Sequence, residues 1–431
     1  MFKLKAFLLI WAGQVVSILG STLSGFALGI WLYQTTGSAS NFALTALCSV
    51  LPRLLVSPLA GGLVDRYSRK WMMALGDSGA AVCTLGLAAL FFGGRMHPWQ
   101  VFLGTALSSA CSALQEPAYD ALVASAVQKA QLGRANGLIQ FGQGLAEVLA
   151  PALAGVLVAL IGVPGVLFVD LATFVIAVTT LLLVSVPEQG VRAGIGQVQD
   201  SPSGRVSLWA GLNEGWKVVR VEAGLSALLR FQMLFSFLWS LFAVLVSPMI
   251  LGFTGAPGLG LALSVAGGGM LVGSLALSAW GGPRRRLRGL MGFELVSAAA
   301  FVLMGLRPSL ALVAGAAFLA HFTLAFVAGL NQSIWQSQVG GAVMGRVLGL
   351  RQAAVQGATL VAYLLAGGMA DRLLNPLLLP GGALVSGLGA WIGVGPGRGI
   401  AALCILIGLV KAAAAVGVAF SPAGRGLDRV M

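Results

Sequence analysis

Residues 133–155 read GRANGLIQFGQGLAEVLAPALAG, and residues 345–367 read GRVLGLRQAAVQGATLVAYLLAG. Aligned without a gap, at an offset of 212, the two segments agree at ten of 23 positions. The identities include the Gly-Arg start, Gly137/Gly349, Leu138/Leu350, Gln140/Gln352 and the closing Leu-Ala-Gly. Shared bias toward Ala, Gly and Leu would give about two or three matches in such a window. The chain therefore repeats itself, with one copy of the segment in each half.

Around the repeat, the 431 residues are 58% hydrophobic and only 9% charged, with a mean hydropathy of +0.93. A soluble domain is typically about 45–50% apolar and about 25% charged. So little charge cannot coat a water-facing surface, and an all-α protein that crosses a membrane many times follows. Apolar runs of spanning length fall at 6–33, 41–64, 72–92, 98–122, 135–160, 163–186, 225–252, 257–281, 289–306, 309–335, 345–368 and 399–420. That is twelve, six on each side of the polar stretch 187–224. The expected organisation is an N-terminal six-helix bundle (1–186), a cytoplasmic linker (187–224) and a C-terminal six-helix bundle (225–431). Within the linker, 208–221 has the pattern of an amphipathic surface helix carrying Lys217 and Arg220. The apolar run after Lys3 and Lys5 continues to about Tyr33 with no cleavage site, so it reads as the first span rather than a signal peptide.

The net charge is +13. Its bases sit in short loops and not in a basic domain, which argues against nucleic acid as a partner. With the N-terminus inside, eighteen bases fall on the inner side and four, Arg95, Arg307, Arg372 and Arg398, on the outer side. That bias places both termini in the cytoplasm of a cell (inner) membrane. The outer connection 369–398 contains LLNPLLLPGG, apolar enough to lie on or dip into the bilayer. Cys48, Cys83, Cys111 and Cys404 are scattered through apolar runs as packing residues, and no metal site or cofactor is expected. There is no HExxH, no GxSxG elbow and no Gly-Lys pair, so neither an enzyme nor an ATP-driven pump is indicated.

The short inner loop between the second and third spans reads AGGLVDRYSRK, 60–70. Gly61, Leu63, Asp65, Arg66, Arg69 and Lys70 make the pattern G-x-L-x-D-R-x-x-R-K. This resembles the signature loop of the major facilitator superfamily, with Ser68 where that family usually has Gly. Parallel six-helix repeats with a substrate path between them are the plan of the same family. The resemblance extends to IWAGQVVSILGSTLSGFALGIWLYQTTGS in the first span, QLGRANGLIQ (131–140), VDLATFVIAVTTLLL (169–183) and LLAGGMADRLLNPLL (364–378). These are similar to the branch holding macrolide-efflux proteins and siderophore exporters. The resemblance implies a major facilitator fold of two pseudo-symmetric halves, alternating access, and a monomer. It implies export of a lipophilic small molecule, macrolide- or siderophore-like, with protons as the coupling ion and lipid as the surroundings. A proton-coupled importer of the same fold is the alternative, with a membrane-embedded enzyme a distant third.

In that frame Gly61, Asp65, Arg66, Arg69 and Lys70 form a conformational latch, whose ionic contacts exist in one state and part in the other. A basic topogenic loop would account for Arg66, Arg69 and Lys70, though not for Gly61 and Asp65. In the fifth span Ala150, Pro151, Ala154 and Gly155 make a relaxed form of the helix motif of proton-coupled antiporters; ordinary tight helix packing is the other reading.

A charge at mid-bilayer costs roughly 3 kcal/mol or more, so each asks for a reason. Glu147 shares a helix face with Gln143, Gly144, Ala150, Pro151 and Ala154, away from Leu145, Val148 and Leu149. It therefore faces protein or cavity, as a proton carrier or as a neutral hydrogen-bonding acid. Its repeat counterpart is Thr359. Asp170, Glu116 and Asp77 are further proton-coupling candidates. Glu116 and Asp120 end the fourth span, where they attract a cationic substrate, coordinate the latch or are simply solvated; Glu294 lies at an inner-third position of the ninth span, as Asp77 does in the third. Arg53, Arg230 and Lys411 are possible counterions, and the fourth span lacks the Arg that many family members carry there. His321 is either a relay or a structural histidine. Gln14, Phe26, Trp31, Gln140, Phe231, Gln232, Trp239, His321 and Trp335 are the substrate-path candidates, the aromatics being alternatively lipid-facing belts.

Overall fold

A computed structural model describes residues 2–64, 67–126, 132–184, 208–339 and 344–421, with side chains left aside at 2–6, 57–64, 120–121, 124–126, 132–134, 136–137, 140, 208–214, 223, 336 and 344–346. Every regular element among them is helical. That follows from the solvent: in hydrocarbon a backbone must satisfy its own hydrogen bonds, and a helix does so within one segment.

The chain forms two compact units, Met1–Ser201 and Pro202–Met431. Unit 1 contains α1 (Phe2–Thr36), α2 (Ala39–Val64), α3 (Arg69–Phe92), α4 (Pro98–Ala126) and α5 (Leu132–Leu183). Unit 2 contains α6 (Leu208–Val221), α7 (Ala223–Leu251), α8 (Ala256–Trp280), α9 (Arg286–Leu306), α10 (Leu310–Gln338) and α11 (Met344–Gly368). A π-helical turn, Met369–Leu374, prolongs α11 into α12 (Asn375–Leu378); α13 (Leu388–Ile392) and α14 (Arg398–Phe420) complete the unit.

Ten helical stretches are long and apolar enough to cross a membrane. One of them, Phe141–Leu183, has 43 residues. At 1.5 Å per residue it would reach roughly 65 Å, about twice a bilayer core. It is two crossings broken at Gly162, whose φ of 68° and ψ of 175° are open almost solely to glycine. The polar-faced α4 adds one more, so the twelve expected spans are accounted for. Outward apolar side chains such as Leu55, Val82, Leu160, Leu275 and Phe420 are each more than 60% exposed, as a lipid-facing surface requires. The chain is an integral membrane protein.

The two units use the same helix pairings. In unit 1, α1 packs on α5 and both α2 and α3 pack on α4. In unit 2, α7 packs on α11 and both α8 and α9 pack on α10. Small residues permit these approaches. A Cβ at Gly269 or Gly273 of α8 would collide with the backbone carbonyls of Phe318 or Phe322 of α10, so the two helices touch backbone to backbone there. The expected surface helix 208–221 is present as α6 and buries Val219 in the core that holds Leu225, Leu287 and Trp335.

The connection 369–398 is more structured than its apolar sequence indicates. Its π-helical turn and two short helices are held by backbone bonds such as Gly395 N to Leu378 O at 3.0 Å, and Leu378 and Ile392 are buried. Arg398 is also buried, and its Nη2 donates to Gly305 O (2.8 Å) and Leu306 O (3.4 Å) at the C-terminal end of α9. A cation there meets the negative end of the helix dipole.

Candidate functional site

The polar residues of unit 1 gather around a cavity of about 800 Å³. α4 contributes Ser108, Ser112, Gln115 and Tyr119, spaced three or four apart and therefore on one helical face. α1, α2, α3 and both arms of α5 close the rest. Some hydroxyls in these spans bond carbonyls of their own helices, as in Thr22 Oγ1 to Ile18 O (2.7 Å) and Ser112 Oγ to Ser108 O (3.0 Å). A polar wall is thereby tolerated at membrane depth.

All four sequence-predicted coupling acids line this cavity, together with the guanidinium of Arg53. Their settings differ. Gln14 Nε2 donates to Asp77 Oδ2 (3.1 Å), while Gln115 Nε2 donates to Gln14 Oε1 (2.7 Å). Asp170, 5% exposed, accepts from Ser21 Oγ (3.2 Å) and Thr84 Oγ1 (3.4 Å). Glu116 forms an ion pair with Arg53, whose Nε donates to Oε2 at 3.0 Å. Glu147 is exposed on the cavity wall. Two carboxyl groups thus have only neutral partners, one is paired, and one is open. Such a wall can attract a cationic group, and its carboxyls can exchange protons with water.

The placement of Glu147 follows from its own helix. One turn further on, Ala150 and Ala154 are fully buried against Leu23, Ala27 and Leu28 of α1, and Pro151 and Gly155 are buried too. That small-residue face seals α5 against α1 and turns Glu147 toward the cavity. Trp11 Nε1 donating to Leu138 O at 2.8 Å ties the same two helices nearer the start of α5.

Of the latch residues, Asp65 and Arg66 lie outside the described residues, as do the surroundings of Gly61, which is helical near the end of α2. Arg69 opens α3. Lys70 Nζ donates to Leu182 O (3.1 Å) and Val184 O (2.9 Å), the last carbonyls of α5, so within unit 1 it caps a helix.

The substrate-path candidates scatter. Phe26 lines the cavity. Gln14 does as well, but at 2% exposure it is a bridge between Asp77 and Gln115 and not an open contact. Trp31 sits edge-on to Phe91 at 5.1 Å in the adjoining core. The side chains of Gln140 and Asp120 are outside the described residues. In unit 2, Phe231 packs against the core and Trp335 is wholly buried. Gln232 accepts from Arg351 Nε at 2.8 Å. Trp239 meets His321 edge-on at 5.0 Å, and His321 Nδ1 bonds Ala317 O of its own helix at 2.9 Å, a structural contact.

Lys411 and Glu294 form an ion pair at 3.2 Å with 3% and 1% exposure. Lys411 Nζ also donates to Ser297 Oγ (2.7 Å) and lies 4.6 Å and 4.7 Å from the ring centroids of Phe235 and Phe301. Sequence reasoning named Lys411 and Arg53 as possible counterions without identified partners, and marked Glu294 only as an inner-third acid. It did not single out Gln115, Ser21, Thr84, Phe235, Phe301, Gln332 or Arg351. The stripe of small polar residues in the fourth span was a legible signal for Gln115, and a charge inside the eleventh span was one for Arg351. No group of three or more candidate metal ligands occurs among the described residues.

Repeated helix pairings, spans and a polar cavity at membrane depth define a polytopic transporter rather than an enzyme. The sequence model described as Major Facilitator Superfamily matches residues 10–363, and the chain belongs to that family. It is 27% identical over 392 residues to macrolide efflux protein A of Streptococcus pyogenes, covering 89% of this chain and 94% of that one. It is 28% identical over 219 residues to the multidrug efflux pump Tap of Mycobacterium tuberculosis, half of each chain. Among solved structures, the chain is similar to a bacterial homologue of the human lysosomal transporter Spinster (TM-score 0.68, 13% identity, 100% and 97% coverage). It is likewise similar to the nucleoside transporter NupG (TM-score 0.66, 12% identity, 96% and 98% coverage). At these identities the two structures speak for the fold alone.

Proposed function

We propose that the protein exports lipophilic drugs or natural products, macrolide- or siderophore-like, by proton antiport with alternating access. The observation that carries this reading is the cavity of unit 1, where Asp77, Glu116, Glu147 and Asp170 surround a space of about 800 Å³ at membrane depth. A cavity of that volume admits a drug-sized molecule. Asp77, Glu147 and Asp170 exchange the protons, and Glu116 is held by Arg53. Relatives named for macrolide and multidrug efflux support the direction and the substrate class. The protein acts as a monomer in the inner membrane with both termini cytoplasmic, an orientation supported by the bias of bases toward one side. Gly61, Asp65, Arg66, Arg69 and Lys70 latch one state.

Everted membrane vesicles with an acidic lumen test this. Radiolabelled erythromycin should accumulate in the lumen, and accumulation should collapse when the pH gradient is dissipated. Depletion of preloaded vesicles would instead establish the importer. Asp65→Asn should abolish accumulation while the protein still reaches the membrane in normal amount.

A further inference from the structure

Among the described side chains, four bases lie inside the expected spans, and three of them are accounted for. Arg53 pairs with Glu116, Lys411 pairs with Glu294, and the exposed Arg230 folds back on Ser226 O of its own helix at 3.2 Å. Arg351 is different. Its Nε donates to Gln232 Oε1 of α7 (2.8 Å) and its Nη1 to Gln332 Oε1 of α10 (2.6 Å). Its guanidinium stands 5.7 Å from the Trp335 ring centroid. Both amides are neutral, so its charge is fixed in place by three helices with no carboxylate paired to it among the described residues.

Three further observations bear on why. The side chain is only partly buried, so one side of the fork is open. A guanidinium turned toward hydrocarbon is strongly disfavoured, so that side faces water or a ligand. Trp335 Nε1, on the ring that Arg351 covers, and Gln338 Nε2, one turn along α10, are buried donors without an acceptor. Among the described residues, this end of α10 therefore carries donors without acceptors and no paired carboxylate. Finally, the repeat position equivalent to Arg351 is Ile139, which packs against the apolar core of unit 1. The shared scaffold does not need a cation there.

We propose that Arg351, anchored by Gln232 and Gln332 and backed by Trp335, is a carboxylate-binding subsite of unit 2, which makes lipophilic molecules bearing a carboxylate the preferred substrates. This deepens the transport reading and rests on it. A planar fork held at two of its donors presents the remaining ones to a carboxylate with little ordering cost.

Rhodamine B and its methyl ester share one fluorophore and differ in a single carboxylate. Their affinities for the purified full chain in phosphatidylcholine nanodiscs can be read by fluorescence anisotropy. The wild type should bind the acid about tenfold more tightly than the ester, the order expected of one charge-assisted contact. Arg351→Gln should erase that preference. Gln332→Leu, which keeps the charge and frees one anchor, should reduce the preference to about threefold, and it guards against misfolding of the first variant. Equal affinities in the wild type, failure to bind the acid, or a preference that survives Arg351→Gln would overturn the subsite. If wild-type vesicles move neither dye while the acid preference persists, the transport reading fails and the subsite stands.

Discussion

Glu147 and Thr359 occupy the same position of the repeat, one on α5 and the other on α11. Glu147 opens onto the cavity of unit 1. Thr359 is half-buried and held within its own unit: Ser240 Oγ donates to its Oγ1 at 3.2 Å, and Ser236 Oγ lies 3.0 Å away. The helix pairings around the two positions are the same, α1 with α5 and α7 with α11. What the repeat preserves is therefore the small-residue and apolar packing that lets helices meet. What it does not preserve is the polar interior. Unit 1 sets four carboxylates and one guanidinium around an open space, whereas unit 2 buries its Glu294–Lys411 pair among aromatic rings and ties Arg351 to the neutral amides of Gln232 and Gln332. A duplicated scaffold supports two chemistries because the lipid-facing and helix-facing positions define the fold and the interior positions are free to diverge.

The comparison can be broken most forcefully at Lys411. Lys411→Ala strands a carboxylate with 1% exposure, and the expected cost is about 3–5 kcal/mol. Thermal unfolding in detergent would show it, and combining Lys411→Met with Glu294→Leu should recover most of the loss. A cost near zero for the single variant would mean that unit 2 does not enclose its charge. Next comes Gly269→Leu, which forces a side chain against the Phe318 backbone. About 1–3 kcal/mol of overpacking strain is expected from the same measurement.

The matched pair at the repeat position sharpens the contrast. Thr359→Val removes a hydroxyl that two serines contact and should cost about 1 kcal/mol, with export unchanged. Glu147→Gln should leave unfolding within about 0.5 kcal/mol of wild type and lose pH-driven export in vesicles. At Lys70→Ala the loss of a helix-end cation is worth about 0.3–1 kcal/mol, read as a slight drop in melting temperature.

Much of the fold was legible because the membrane imposes long, regular signals. Span length, the repeat, the surface helix 208–221 and the change at Gly162 all follow from hydropathy and small-residue spacing. The side on which Glu147 lies was also legible, since Ala150 and Ala154 mark the packed face. Partners were not. Arg53 and Glu116 stand 63 residues apart and meet only because α2 packs on α4. Gln14 and Trp335 have the chemistry of ligand contacts, yet packing encloses both, and periodicity cannot tell an enclosed polar group from an open one. The turns of 369–397 escaped notice because their order comes from backbone bonds rather than from an apolar pattern.

The central claim is that proton exchange resides in the acids of unit 1 and not at the equivalent place in unit 2. The most direct test is proton release on addition of erythromycin to purified protein in weakly buffered detergent solution, followed with a pH-sensitive dye. Release should be clear in the wild type, unchanged in Thr359→Val, and absent when Asp77→Asn, Glu147→Gln and Asp170→Asn are combined in a variant that still binds the drug. Undiminished release from that combined variant would contradict the account.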